Sequence, residues 1–273
     1  MSVTPNSGPL KRPLSDFGVE LRRRRKMAGL SQDRLAEITQ FSQSLIGFTE
    51  RGKRNPGRRF AQRCDDALEA NGELVLLWEQ LTRGTSPRWF RDWLDVEPAA
   101  HTLHTWQPLV VPGLLQIEDY ARAVIRGEPD ITDAQAEKAV IARMARQAIF
   151  ERPKPPMFRV VLDEGVLYRP IGGKEVMCRQ LERLEEAIES PRICIQIIPM
   201  ALGVTTGILG GFAIAQIAGR ADTVYIQSAT HGYVTNRPKD VEAIYSRYET
   251  LRVEAQPQHL SIALIREAAK LWT

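Results

Sequence analysis

Gln43, Ser44, Gly47 and Phe48 recur at the spacing that places residues on one side of a short helix, and their chemistry is the most directly readable in the chain. A glutamine carboxamide offers paired hydrogen bonds to adenine N6 and N7 in the major groove, and a serine hydroxyl serves several bases. A glycine among them lets a backbone come close to a duplex. Arg51, Lys53 and Arg54 follow at the end of the same stretch, where cations meet phosphates, and Gln32 lies upstream with an amide able to hold the phosphate backbone.

That chemistry needs two helices and a tight turn. Ser31 is a good N-cap and Asp33 puts a negative charge in the first turn, so a helix is expected from Gln32 to about Ile38. Ser42 caps a second, running to about Arg51, and Gly52 suits the left-handed residue that ends it. Leu35, Phe41, Ile46 and Thr49 supply the shared inner face, with small Ala36 at the crossing.

The residues Leu30-Ser31-Gln32, Leu35-Ala36-Glu37, Ser42-Gln43-Ser44, Ile46 and Glu50-Arg51-Gly52-Lys53-Arg54-Asn55-Pro56 together resemble the repressor-type helix-turn-helix of the xenobiotic-response-element (XRE) family. The resemblance implies a reader of double-stranded DNA. One residue departs from it: Gln40 stands where the family usually has glycine. A side chain at positive φ costs about 1 kcal/mol, so a slightly strained turn is expected there.

The chain has 273 residues, 43% of them hydrophobic, enough for two domains with cores. Its net charge of +4 is unevenly spread: up to Arg88 there are 16 Lys and Arg against 10 Asp and Glu, and beyond it 21 against 23. A basic module on a slightly acidic body suits a polyanion reader with a separate control domain. Cys64, Cys178 and Cys194 are too few and scattered for a disulfide framework and read as core residues in a reducing cytoplasm. No signal peptide is read at the N-terminus, and the longest apolar stretch, Ile208 to Ala218, is glycine-broken and too short for a bilayer.

Residues 1–13 read as a disordered leader, 14–82 as the helix-turn-helix domain, 83–88 as a linker and 89–273 as a regulatory or partner-binding domain. In the first domain Ser15 caps a helix with Phe17, Leu21 and Met27 inward and the run Arg22 to Lys26 mostly outward. Helices at Arg58 to Ala70 and Glu73 to Leu81, broken by Asn71-Gly72, complete an all-α five-helix bundle. Beyond the linker, helices are expected around Trp89 to Leu94, up to Arg126, over Asp133 to Phe150, Lys174 to Glu189 and Pro238 to Val253. Strands are expected at Met157 to Asp163, Ile193 to Ile198, Phe212 to Ile217 and Thr223 to Gln227, the last two forming a hairpin. A final strand, Leu260 to Leu264, and helix, Arg266 to Leu271, close an α+β domain with a mixed sheet.

Phe90-Arg91-Asp92-Trp93, Trp106 to Gln116, Tyr120-Ala121-Arg122-Ala123 and Arg143 to Gln147 resemble the uncharacterised domain that follows the helix-turn-helix in actinobacterial WhiJ-like regulators. The kinship implies a transcription regulator encoded beside a small opposing protein, a pair comparable to antitoxin and toxin. A small-molecule ligand for the second domain is the other possibility. One such helix pair reads a half-site of about five base pairs, so useful specificity calls for two copies roughly 34 Å apart, a homodimer.

Other candidates are weaker. His101 and His104 lack further ligands at metal spacing, and Pro98 and Thr102 suggest loop. His231 with Asp222 and Ser228 has no nucleophile elbow, and Gly203 to Gly211 lacks the Lys and Ser/Thr of a phosphate loop. Asp163-Glu164-Gly165 fits turn chemistry, and Trp89, Trp93 and Trp106 fit core or interface. The expectation is therefore a sequence-specific, repressing DNA-binding regulator, cytoplasmic, needing no cofactor or metal. An antitoxin-like neutraliser of a small protein, and an enzyme using its helix-turn-helix only for placement, are the alternatives.

Overall fold

A computed structural model describes residues 13–52, 58–83, 88–228 and 231–273. The chain divides into two compact units, Met1–Thr85 and Ser86–Thr273. The expected leader up to residue 12 and most of the expected linker lie outside the described residues.

Unit one is built of α1 (Pro13–Met27), α2 (Gln32–Thr39), α3 (Gln43–Glu50), α4 (Arg58–Ala67) and α5 (Glu73–Arg83). Phe17 and Leu21 of α1, Leu35 and Ala36 of α2, Ile46 of α3, Phe60 and Cys64 of α4, and Leu74 and Trp78 of α5 are buried together as its core. Gly18 is where α1 presses on α3: a β-carbon there would lie 2.5 Å from the Thr49 carbonyl oxygen and 2.9 Å from that of Glu50. Any larger residue would have to push two helix backbones apart.

This unit differs from the sequence expectation in several places. Ser15 lies inside α1, which begins at Pro13, so the helix starts earlier than the cap expected there. Met27 is 74% exposed, because the helix turns it off the stripe that Phe17 and Leu21 define. Arg25 points inward from the basic run and is buried against Glu50. Also, α4 stops at Ala67, three residues early, because Glu69 (φ 47°) and Asn71 (φ 51°) leave the helical region.

Unit two has a six-stranded mixed sheet, in the order β3-β2-β1-β4-β5-β6. The strands are β1 (Thr102–Gln107), β2 (Met157–Asp163), β3 (Ile193–Ile198), β4 (Phe212–Gln216), β5 (Thr223–Gln227) and β6 (Gly232–Thr235). β1, β2 and β3 run parallel; β4, β5 and β6 form an antiparallel meander beside β1. Parallel neighbours need crossovers. α7 (Glu118–Ile125) and α8 (Asp133–Arg146) carry the first, and α9 (Lys174–Ile188) the second.

Alternation along the strands divides the core. Leu103, Phe158, Val160, Ile195 and Ile197 face α9, α6 (Arg88–Val96) and α11 (Gln258–Lys270). Trp106, Val161, Ile198, Ile214 and Val224 face α10 (Pro238–Glu254) through Ile244, Tyr248 and Leu251.

Two elements differ from the sequence expectation. Leu260 to Leu264 is no strand: it belongs to α11, whose buried residues Ser261, Ile265 and Ala268 recur at helical spacing. Ser261 Oγ accepts from the Ile197 N–H at 2.9 Å, so the helix covers the edge of β3. The stretch around His101 and His104, expected as loop, leads into and forms the central strand β1, in which Thr102, His104 and Thr105 are buried. Thr105 Oγ1 donates to the Phe212 carbonyl at 2.9 Å. Gln216 Nε2 donates to Tyr245 Oη (2.9 Å) and so turns Oε1 towards His104 Nε2 at 3.3 Å. Nε2 therefore carries the His104 proton, and Nδ1 is buried without a partner. β6 is a further strand that the sequence reading did not contain.

Candidate nucleic-acid interface

Both helix starts of the pair are side-chain capped: Ser31 Oγ accepts from Arg34 N–H at 3.0 Å and Ser42 Oγ from Leu45 N–H at 3.2 Å. Between them Gln40 takes the left-handed conformation, φ 58° and ψ 37°. The strain of a side chain there is offset by α4, because Arg63 Nη1 donates to Gln40 Oε1 and to the Thr39 carbonyl, each at 3.0 Å. The turn thus gains an anchor that glycine could not provide.

Gln43 and Ser44 stand exposed in the first turn of α3, and Phe48 is 43% exposed further along. Arg51 follows as the exposed C-cap, its guanidinium carbon 5.1 Å from the centre of the Phe48 ring. Lys53 and Arg54 lie outside the described residues. Gly47 corrects the sequence reading: it is buried, and the space a side chain would take is filled by Arg51 and Gln32. A β-carbon there would lie 3.2 Å from Arg51 Nη1 and 3.3 Å from Gln32 Oε1. The glycine gives those two side chains a seat across α3.

Gln32 is half-buried and links the exposed face to the interior. Gln43 Nε2 donates to Gln32 Oε1 at 3.0 Å, and Gln32 Nε2 donates to Glu50 Oε2 at 2.7 Å. Glu50 forms a two-point ion pair with Arg25, Nε to Oε1 at 2.5 Å and Nη2 to Oε2 at 2.9 Å. Arg25 Nη1 also reaches the Leu30 carbonyl at 2.8 Å. Burial works against the Glu50 charge, yet the hydrogen bonds from Arg25 and Gln32 hold its carboxyl below the ordinary range. Because Glu50 closes α3, where the helix dipole disfavours an anion, the Arg25 charge is what makes it tolerable. No sequence signal pointed to this chain of bonds, which joins α1, α2 and both ends of α3.

The other predicted groups are engaged elsewhere. Asp163 Oδ1 accepts from Gly165 N–H (2.8 Å) and Glu164 Oε2 from Met200 N–H (2.9 Å), so both carboxylates serve turns. Asp222 accepts from Tyr245 Oη at 2.7 Å, while Ser228 Oγ donates to the His231 carbonyl at 2.6 Å, so the three do not form a triad. Gly207 accepts from the Trp106 indole at 2.8 Å, and Trp93 and Trp106 are core residues. Burial pushes the Cys64 thiol up to about 12, and those of Cys178 and Cys194 are also raised. Among the described residues no three His, Cys, Asp or Glu side chains converge as metal ligands, and no helix is long and apolar enough to cross a membrane.

Two capped helices, a left-handed turn and an exposed polar first turn define a helix-turn-helix protein, and a helix-turn-helix domain family matches residues 16–78. That domain suggests a DNA-binding regulator. Residues 90–267 match the domain of unknown function DUF5753, and the chain belongs to that family. No curated protein and no solved structure matches it.

Proposed function

We propose that the chain is a sequence-specific, dimeric transcriptional repressor of XRE type and WhiJ-like kind, whose C-terminal unit controls release of the DNA. The observation that carries this reading is the exposed amide of Gln43 tethered through Gln32 to the buried Glu50–Arg25 pair. A side chain already oriented loses less freedom on binding, which suits base reading better than general phosphate contact. Gln43 and Ser44 read bases; Arg51, Lys53 and Arg54 hold the backbone, and Gln32, expected from the sequence to do the same, instead positions Gln43, its amide being engaged with Glu50 and Gln43. The protein is not an enzyme in this reading, and it works in the cytoplasm.

Footprinting on the DNA upstream of its own gene, at several salt concentrations, tests the proposal. Protection of two half-sites about one helical turn apart, persisting over competitor DNA, is expected. Binding that falls steeply with salt and shows no preferred sequence would contradict it.

A further inference from the structure

α8 places two arginines almost one turn apart, Arg143 and Arg146, and one carboxylate serves the pair. Arg146 takes it: Nε donates to Glu97 Oε1 at 2.9 Å and Nη2 to Glu97 Oε2 at 2.6 Å. The Trp93 indole N–H also donates to Glu97 Oε2, at 2.9 Å. The Arg146 guanidinium lies 4.8 Å from the centre of the Phe90 ring.

Arg143 is treated differently. It makes one hydrogen bond, Nη1 to Gln116 Oε1 at 3.0 Å, and that acceptor is a neutral amide. Gln116 is 2% exposed, and its own N–H donates to the Val111 carbonyl at 2.6 Å, which fixes the oxygen towards Arg143. A guanidinium has five N–H donors, so four on Arg143 meet no acceptor among the described residues. The side chain is half-buried, its stem across the Gly113 backbone, where a β-carbon would lie 3.6 Å from Arg143 Cδ and 3.3 Å from Arg146 Nη1. Burial, with the adjacent Arg146 charge, pushes the Arg143 guanidinium down to about 10. Glu97 is taken by Arg146, and Glu128 acts on Arg143 only from beyond ion-pair distance, so among the described residues no carboxylate pairs with Arg143.

We infer that Arg143 anchors a binding site for a small oxyanion, the carboxylate or phosphate group of a small molecule, received by the unused donors of its guanidinium fork. Carboxylate and phosphate share the paired oxygens that such a fork matches. The half-buried setting keeps an ion pair formed there from being screened as it would be on an open surface. The binding itself does not depend on the DNA-reading proposal; only its use as a release signal does.

Thermal melts of the full chain test this without DNA, so a failed footprint leaves the result standing. Inorganic phosphate and sodium acetate are titrated separately, against sodium chloride at matched ionic strength. The wild type is expected to gain melting temperature saturably with one of the two anions beyond the chloride control, and which one responds identifies the phosphate or carboxylate class. Arg143→Met is expected to lose that gain, and in chloride alone to melt at or above the wild type, since an uncompensated charge has been removed. Arg143→Lys keeps the charge but not the fork, and isothermal titration should show at least tenfold weaker binding. The inference is overturned if neither anion exceeds chloride, or if Arg143→Met responds as the wild type does. It is equally overturned if Arg143→Met melts well below the wild type in chloride, or if Arg51→Ala rather than Arg143→Met abolishes the gain.

Discussion

Arg25 in the first unit and Arg143 in the second are both drawn from the surface, and their surroundings are opposite. Arg25 meets both oxygens of Glu50 and the Leu30 carbonyl. Arg143 meets one amide oxygen and pairs with no carboxylate among the described residues, Glu97 being held by Arg146. A completed buried pair is a structural lock: its cost is already met, and removing either member strands the other. An incomplete one leaves donors for something outside the chain. On the proposed function, the difference teaches that α3 is set before any DNA arrives, whereas Arg143 of the C-terminal unit keeps donors that the described residues do not use.

Breaking the lock should produce the largest effect. Glu50→Gln leaves Arg25 without its counter-charge and should cost the N-terminal unit about 3 to 5 kcal/mol, read by urea unfolding. Replacing both partners, Arg25→Met with Glu50→Leu, should cost far less. A loss below about 1 kcal/mol for Glu50→Gln alone would mean the pair is no lock.

Acid separates the two units next. The His104 pKa is lowered, first by burial and also by the Arg159 charge, despite the opposing Gln216 bond. Its stabilising effect is complete above the unfolded value of about 6.5 and is lost as pH falls from there towards the folded value. Glu50 is also lowered, but from the carboxylate range, so its contribution fades only below about pH 4.5. The C-terminal unit should therefore begin to weaken at higher pH than the N-terminal one, with a slope of at most about 1.4 kcal/mol per pH unit from this histidine. Hydrogen exchange followed by unit between pH 7 and 4 checks the order, and His104→Gln should remove the upper step.

A small effect is expected at Thr49, whose hydroxyl is buried in α3 without a partner. Thr49→Val keeps the shape and removes the unsatisfied group, so chemical denaturation should show a gain of up to about 1 kcal/mol. A loss instead would show that the hydroxyl is satisfied in solution.

Local chemistry was readable in the sequence where it acts over a few residues. Ser31 and Ser42 cap the helices they were expected to cap, and Gln40 adopts the left-handed turn expected from its position. What could not be read depends on distant partners. Arg25 looked like one more exposed cation because Glu50, its reason for turning inward, is 25 residues away. Gly47 looked open because nothing local says that Gln32 and Arg51 lie over it. β1 was hidden because a central strand normally reads as apolar, whereas Thr102, His104 and Thr105 are polar residues satisfied largely across the sheet. α11 resembled a strand because Leu260 to Leu264 is apolar and short, and only its packing on α9 and β3 reveals the helical period.

Base preference at Gln43 tests the central claim most directly. Competition gel shifts should compare wild type, Gln43→Ala and Arg51→Ala on the footprinted operator and on random DNA, at several salt concentrations. Gln43→Ala is expected to lose about 1 to 3 kcal/mol on the operator and little on random DNA, while Arg51→Ala weakens both alike and flattens the salt dependence. Equal losses on operator and random DNA from Gln43→Ala would contradict the assignment of this side chain as a base reader.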